Sequence, residues 1–500
     1  MLSVRRQIFL FFLLFLYCQA GYTKSVSPLD FGLSEASNGE DRFWALYKAH
    51  SYAIKNGMGV DYKGIKEINV TIPIDSKSIP LSFYNDFRDV VIIVDSPYKN
   101  CALFYMKSEA TIIDINENDL DNDDFRKYSF FNKGTCLLIY EDEYPWVKER
   151  QGFNYGATRR DIRVLKGGIA INKTVSIYNN KPFSKPKISY IESDDKLKII
   201  KNISIFRSPL SKNIVYCFSI DGQNNVEFRN IKIHTPEKSE LFGDAAFSIR
   251  NSANIKFKEV LIEGTYSQIT NYGYGISMDN VWNSSFYKLI ANAKWGVFGC
   301  YNINKCTIDH CDINRFDIHC YGKDVYIKHS TLRDNYSQFS SVYGTIKYDH
   351  CNFINYTPCL IERSFNSYVP FDIELKKCKM YITLDKKCNY LIDMGWLNSQ
   401  NNERAELSEK CWPNVKINGL DIYLPKEERL FFLFYIHNAV KDGIPVGYIK
   451  SIQIKKIFFN DKVNFELCNY NVLTFSNLNV NIQQRKGSNA RIDNNVISKR

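Results

Sequence analysis

After residue 20, no stretch of this 500-residue chain is apolar for long enough to cross a bilayer, so a spanning helix is excluded. No Cys-x-x-Cys pair occurs among its 14 cysteines, which argues against a structural zinc site. The formal charge of +11 is not gathered into a basic stripe, so nucleic acid is not an expected partner. The acidic run Asp114-Ile-Asn116-Glu-Asn118-Asp119 lacks the central glycine and closing glutamate of a calcium loop. A solvated acidic turn is expected there, and no cofactor is assigned. Histidine is scarce as well: there are seven, yet His310, His319, His329 and His350 fall close together.

At the start, Arg5 and Arg6, the apolar run Ile8 to Tyr17 and the Cys18-Gln19-Ala20 cleavage site read as a secretory leader. The mature protein is expected to be secreted or periplasmic. A lipid anchor on Cys18 is the rival reading, with bulky Tyr17 against it. Losing Arg5 and Arg6 leaves a charge of +9, which in an exported protein favours acidic glycans or an anionic cell surface. The same charge also serves solubility alone.

What the chain has in abundance is one eight-residue pattern: apolar, any, apolar, any, any, small or apolar, any, apolar. Its copies start at Val226, Ile255, Ser284 (a weaker copy), Cys306, Val325, Ile346 and Ile373, and again at Val415, Ile452 and Leu473. The first seven starts lie 29, 29, 22, 19, 21 and 27 residues apart, the period of a stacked-repeat architecture. Each copy reads as two short strands joined by a two-residue corner, with its apolar positions turned inward. One coil cannot bury its apolar face alone, whereas stacked coils make a continuous core. Cys311, Cys351 and Cys378 share one repeat position and are expected to stack as small buried hydrophobes, not to form disulfides. Loops between coils, variable in length, are where a binding surface is expected.

Before the repeats, Asp30-Phe31-Gly32 is followed by helical spacing of Phe43, Leu46, Tyr47, His50 and Ile54, and by strands near 60–62 and 68–72. This opening, with the repeats, resembles the pectin-lyase-like right-handed parallel β-helix superfamily. The resemblance implies an all-β right-handed parallel β-helix solenoid with an N-terminal helix capping the stack. The expected organisation is a leader (1–20), cap helix and first strands (21–74), parallel β-helix (75–480) and polar tail (481–500). Segments 381–414 and 423–451 interrupt the repeats and are expected to be side loops or a lateral insertion. Thr307-Ile308-Asp309-His310-Cys311 is similar to the Trp-Ile-Asp-His element of pectate lyases, with threonine for tryptophan. Their downstream arginine motif is missing, as are the Asn-Thr-Asp and Gly-His-Gly elements of polygalacturonases.

Two clusters carry chemistry. His310, His329 and His350 share the fifth position of consecutive repeats, so stacking places them in a column with Asn230, Glu259, Lys288 and Lys377. A hydrogen-bonded ladder outweighs a metal site there, although Asp309 and Asp349 are adjacent, and no metal ligand is assigned. The sharper candidate is Arg315-Phe-Asp317-Ile-His319-Cys-Tyr321. Period two puts Arg315, Asp317, His319 and Tyr321 on one solvent face, a set suited to moving a proton beside a uronate carboxylate. In that lyase reading His319 or Tyr321 takes the proton, Arg315 binds the carboxylate and Asp317 orients the histidine. Glycoside hydrolysis would instead pair Asp317 with Asp312 or Glu362. Trp295, Lys323, Tyr343, Glu362 and Arg363 are expected to flank the groove. In the loop 141–160, Trp146, Arg150, Asn154, Tyr155, Arg159 and Arg160 also suit a sugar or an anion. The expected activity is lyase or hydrolase action on a polysaccharide, with an acidic one favoured by the positive charge; the alternatives are a non-catalytic glycan-binding or adhesion protein, and a salt-bridged strand with no ligand.

Overall fold

The structure, a computed structural model, describes residues 24–482 apart from 75–76, 96–100, 121, 133, 148–156, 173–185, 209–213, 236–244, 265–273, 294–295, 340–341, 362–370, 384–388, 395–412, 426–429, 437–446, 461–462, 470–472 and 476–477. The leader, Cys18 and the tail from 483 lie outside the described residues.

The repeat copies stack in parallel, register for register. Val226 lies opposite Ile255, and the column continues through Ser284, Cys306, Val325, Ile346, Ile373, Val415 and Ile452 to Leu478. The last coil thus pairs from Leu478, five residues beyond the Leu473 start read from the pattern. The second half of each copy makes a second column, in which Ile231 faces Val260 and Val260 faces Leu289. Inward apolar positions of both columns are buried in one core that runs from Leu33 to Cys468. Phe228, Phe257 and Phe286 stack along it with ring centroids 4.9 and 4.8 Å apart, close to the spacing between strands.

A third face completes each coil, and the eight-residue pattern does not contain it. Phe218, Phe247, Ile276, Phe298 and Phe316 are successive partners in this face. Segments 381–414 and 423–451, expected to be side loops, each supply a third-face strand, Tyr390–Asp393 and Leu430–Tyr435, paired in parallel through Ile392 and Phe434. The lateral insertion lies earlier. Thr111–Ile112, Thr135–Val147, Ala157–Lys166, Ile169–Ala170 and Lys187–Ser193 form an antiparallel five-stranded sheet inside the span expected to be parallel. It docks through Ile139, Ile162, Val164 and Ile191 onto Ala253 and Trp282 of the stack. Arg160 Nη1 lies 2.5 Å from Asp279, and Asn302 donates to the Arg160 carbonyl at 2.7 Å.

The corners between faces are single residues with positive φ, where Asn and Asp are favoured because a short polar side chain eases the left-handed conformation. Asn302 donates to Asn280 at 2.6 Å, Asn280 to Asn251 at 3.0 Å, and Asn251 to Asp221 at 3.2 Å. Such ladders satisfy amide groups that turn away from the strands. The histidine column sits at another corner, with φ of 54°, 48° and 55° at His310, His329 and His350. Its rings lie tilted with centroids 4.8 and 5.4 Å apart, and their Nδ1 atoms bond to Asp309 and Asp349.

Helix α1, Gly39–Lys55, starts at Asn38, whose side chain accepts from the Asp41 amide at 2.8 Å. It buries Phe43, Leu46 and Ala53 in the main core beside the first strands. Cys311, Cys351 and Cys378 are buried free thiols, and the nine described cysteine side chains form no disulfide. No described helix is long and apolar enough to cross a membrane. In the acidic turn, Asp119 accepts from the Tyr128 hydroxyl at 2.7 Å and pairs with Lys127, while Asp114 and Asn116 are exposed.

Candidate functional site

The third faces of four consecutive coils build the site, carried by the first parts of the long strands β1 (Tyr274–Ala293) and β2 (Gly296–Asp309) and by the short strands β3 (Phe316–Cys320) and β4 (Tyr336–Phe339). Phe316 and Ile318 point into the core, which turns Asp317 and His319 to the outer side together with Arg315. Pairing of β3 with β2 slips between Cys300 and Tyr301: Ile318 faces Cys300 and Cys320 faces Tyr301, so His319 is the extra residue. A bulge of this kind re-aims one side chain out of the ladder.

The outer side is not the solvent face expected from period two. Arg315, Asp317 and His319 are only 3%, 0% and 5% exposed. Arg315 Nε lies 2.6 Å from Asp317 Oδ2, and its Nη2 donates to Gln338 at 3.3 Å. Its guanidinium also lies over the Tyr336 ring, 4.3 Å from the centroid. Burial disfavours the Arg315 charge, but Asp317 beside it outweighs this and holds the guanidinium more firmly protonated than usual. The Tyr301 ring stacks on His319 at 5.0 Å.

The residue missing from the sequence reading is Tyr274. Its hydroxyl lies 2.8 Å from Asp317 Oδ2 and 2.9 Å from His319 Nε2, bridging carboxylate and imidazole. With the hydroxyl donating to the carboxylate, the imidazole Nε2–H donates to the phenol oxygen. Two glycines of β2 clear the space. A Cβ on Gly299 would meet the Tyr274 ring at 2.3 Å, and one on Gly296 would meet the Arg315 side chain at 2.8 Å. Gly275, Gly296 and Gly299 in neighbouring third-face strands were the available signal. Tyr274, Tyr301 and Tyr336 are half-buried, so three phenols from three coils rim the buried Arg-Asp-His set.

Other expected site residues separate from it. Tyr321 is buried at a corner with φ of 60°, where the chain turns away from β3. Lys323 lies beyond that corner on the strand Gly322–Lys328. Asp312 belongs to the second face, where its oxygens take two bonds from Arg333, so it cannot pair with Asp317. Trp295, Glu362 and Arg363 lie outside the described residues, as does the Tyr343 side chain. In the loop 141–160, only the side chain of Arg160 among those named is described, and it holds Glu141 and Asp279. The element similar to the pectate lyase motif lies elsewhere too, since Asp309 and His310 stand at the corner of the histidine column.

No protein-family model matches the chain, and no curated protein matches it. Solved structures do match. The tailspike protein gp49 of Pseudomonas phage LKA1 aligns with a TM-score of 0.51 at 11% identity, over 95% of this chain and 79% of that one. The gp54 tailspike of Acinetobacter baumannii bacteriophage AP22, solved in complex with A. baumannii capsular saccharide, aligns with a TM-score of 0.50 at 12% identity, over 90% and 79%. At this identity the likeness is one of fold, a parallel β-helix, the architecture that the repeats and the opening segment together implied.

Proposed function

We propose that this chain is an exported right-handed β-helix that cleaves an acidic polysaccharide by β-elimination, with Tyr274, His319 and Asp317 at its centre. The hand is the one parallel crossovers almost always take. The observation that carries the reading is the Tyr274 hydroxyl held between Asp317 and His319 at a bulge. In the elimination, the sugar C5–H and C4–O bonds break, a C4=C5 double bond forms, and the proton ends on the leaving oxygen. Tyr274, half-buried, meets the sugar: its oxygen takes the C5 proton as its own hydroxyl proton passes to Asp317, the Nε2–H of His319 steadies that oxygen, and the reverse shift delivers a proton to the leaving oxygen. Asp317 positions the phenol, and Arg315 keeps that carboxylate ionised. Arg315 is too deeply buried to bind a uronate itself, which corrects its expected role. The tyrosine rim suits stacking against sugar rings, and a structural neighbour is solved with a capsular saccharide.

A non-catalytic glycan-binding protein is the second reading, favoured by the near-complete burial of Arg315 and Asp317. Incubating the protein with acidic and neutral polysaccharides separates the two. Growth of unsaturated-uronate absorbance is the expected result. Reducing ends without that absorbance would make it a hydrolase, and silence on every substrate that still binds would make it a binding protein.

A further inference from the structure

The corner occupied by the histidine column has a geometry that a ladder alone does not require. His310 Nδ1 lies 2.7 Å from Asp309 Oδ1, and His329 Nδ1 lies 3.1 Å from the same oxygen. Two imidazoles from successive coils thus aim their nitrogens at one carboxylate atom, and the three donor atoms all lie within 4.8 Å of one another. Ligand atoms around a tetrahedral zinc ion sit roughly 3.3 Å apart, given metal–ligand bonds of about 2.0–2.1 Å. Small side-chain movements bring the three to that spacing.

The backbone holds them there. The His310 amide donates to the Lys328 carbonyl at 3.2 Å, and the His329 amide to the Asp349 carbonyl at 2.9 Å. Both histidines are exposed, and Asp309 is half-buried. The opposing group is Lys328, whose ammonium lies 3.1 Å from Asp309 Oδ2. It neutralises the carboxylate in the absence of a metal and repels a cation bound to the other oxygen.

We propose that Asp309, His310 and His329 form a binding site for one first-row divalent cation, zinc in the first instance. Two imidazole nitrogens and one carboxylate oxygen are a borderline set that selects zinc, cobalt, nickel or copper over calcium and magnesium. Each histidine binds through Nδ1 with its proton on Nε2 toward solvent, and a water fills the fourth position. The ion ties two coils together at a corner between the first and second faces. It is independent of the tyrosine-rimmed site on the third face.

The test uses the full chain without a histidine tag, stripped with a chelator and titrated with cobalt followed by visible absorption. One equivalent with the spectrum of a four- or five-coordinate nitrogen and oxygen site is expected, and zinc should displace it. His310→Gln and His329→Gln should each weaken binding by at least about tenfold. Lys328→Gln, which leaves the ladder in place, should strengthen it, and His234→Gln, at a distant surface histidine, should change nothing. Equal affinity of the wild type and the His310→Gln/His329→Gln double variant would overturn the proposal, provided thermal melting shows both folded. Unchanged or weaker binding by Lys328→Gln would overturn it without relying on the histidine variants. A cobalt–thiolate absorption band would overturn it by placing the metal on cysteine.

Discussion

Gly299 lies beneath Tyr274 with no side chain to spare: a Cβ there would be 2.3 Å from the ring. The atoms it would meet belong to the phenol that joins Asp317 to His319. Gly299→Ala should therefore push the phenol out of its bridge while leaving the coil pairing intact. Turnover is expected to fall about 10²-fold, the scale of a lost proton-transfer group. Tyr274→Phe should give a loss of the same order in kcat with substrate binding nearly unchanged. Kinetics on the active polysaccharide check both, and a Tyr274→Phe enzyme at wild-type rate would remove Tyr274 from the chemistry.

Arg315 and Asp317 are a buried ion pair, and their removal separates stability from activity. Asp317→Ala leaves the guanidinium in a buried place without its counter-charge, a change that costs about 3–5 kcal/mol. Replacing both, Arg315→Met with Asp317→Leu, removes the uncompensated charge and should recover most of that stability. Activity should stay lost in the double variant, because Tyr274 no longer has a carboxylate to hold it. Denaturant unfolding and initial rates on the same preparations read the two effects.

The repeat columns were legible because burial imposes the same apolar positions on every coil: Val226 through Ile452 sit where the pattern places them. The third face was not, because its strands vary in length and in their distance from the repeats. Tyr390–Asp393 and Leu430–Tyr435 therefore read as interruptions. At the site, period two correctly joined Arg315, Asp317 and His319. It failed for Tyr321, since a positive-φ corner ends the alternation that the bulge at His319 had already broken. Tyr274 lies 45 residues before His319 and is brought to it only by coil stacking, a relationship that local spacing does not contain.

Asn280 combines a φ of 59° with full burial, accepting from Asn302 and donating to Asn251. Alanine loses both ladder bonds and also pays about 1–2 kcal/mol for the left-handed backbone. With one buried amide partner left unsatisfied, at about 1–3 kcal/mol, Asn280→Ala should destabilise by roughly 2–5 kcal/mol. Asn280→Gly loses the same bonds without the backbone strain, so it should be the milder change. Urea unfolding of the two variants checks the order, and alanine milder than glycine would contradict a left-handed corner.

His50 is fully buried on the core side of helix α1, with its Nε2 2.8 Å from the Tyr62 hydroxyl, and burial lowers its pKa to about 3. An unfolded chain protonates this histidine near pH 6.5, whereas the folded one resists until about pH 3. The unfolded state thus binds more protons between those values, and stability falls as pH drops. Each unit below about 6.5 costs the native state about 1.4 kcal/mol from this group alone. The loss ends once the folded histidine also protonates. His50→Gln keeps a partner for Tyr62 and removes the titration, so its stability should fall less steeply with acid than that of the wild type. Thermal melts between pH 4 and 7, flanked by the carboxylate effects common to both proteins, should show the two curves converging toward acid; parallel curves would mean that His50 charges as readily folded as unfolded.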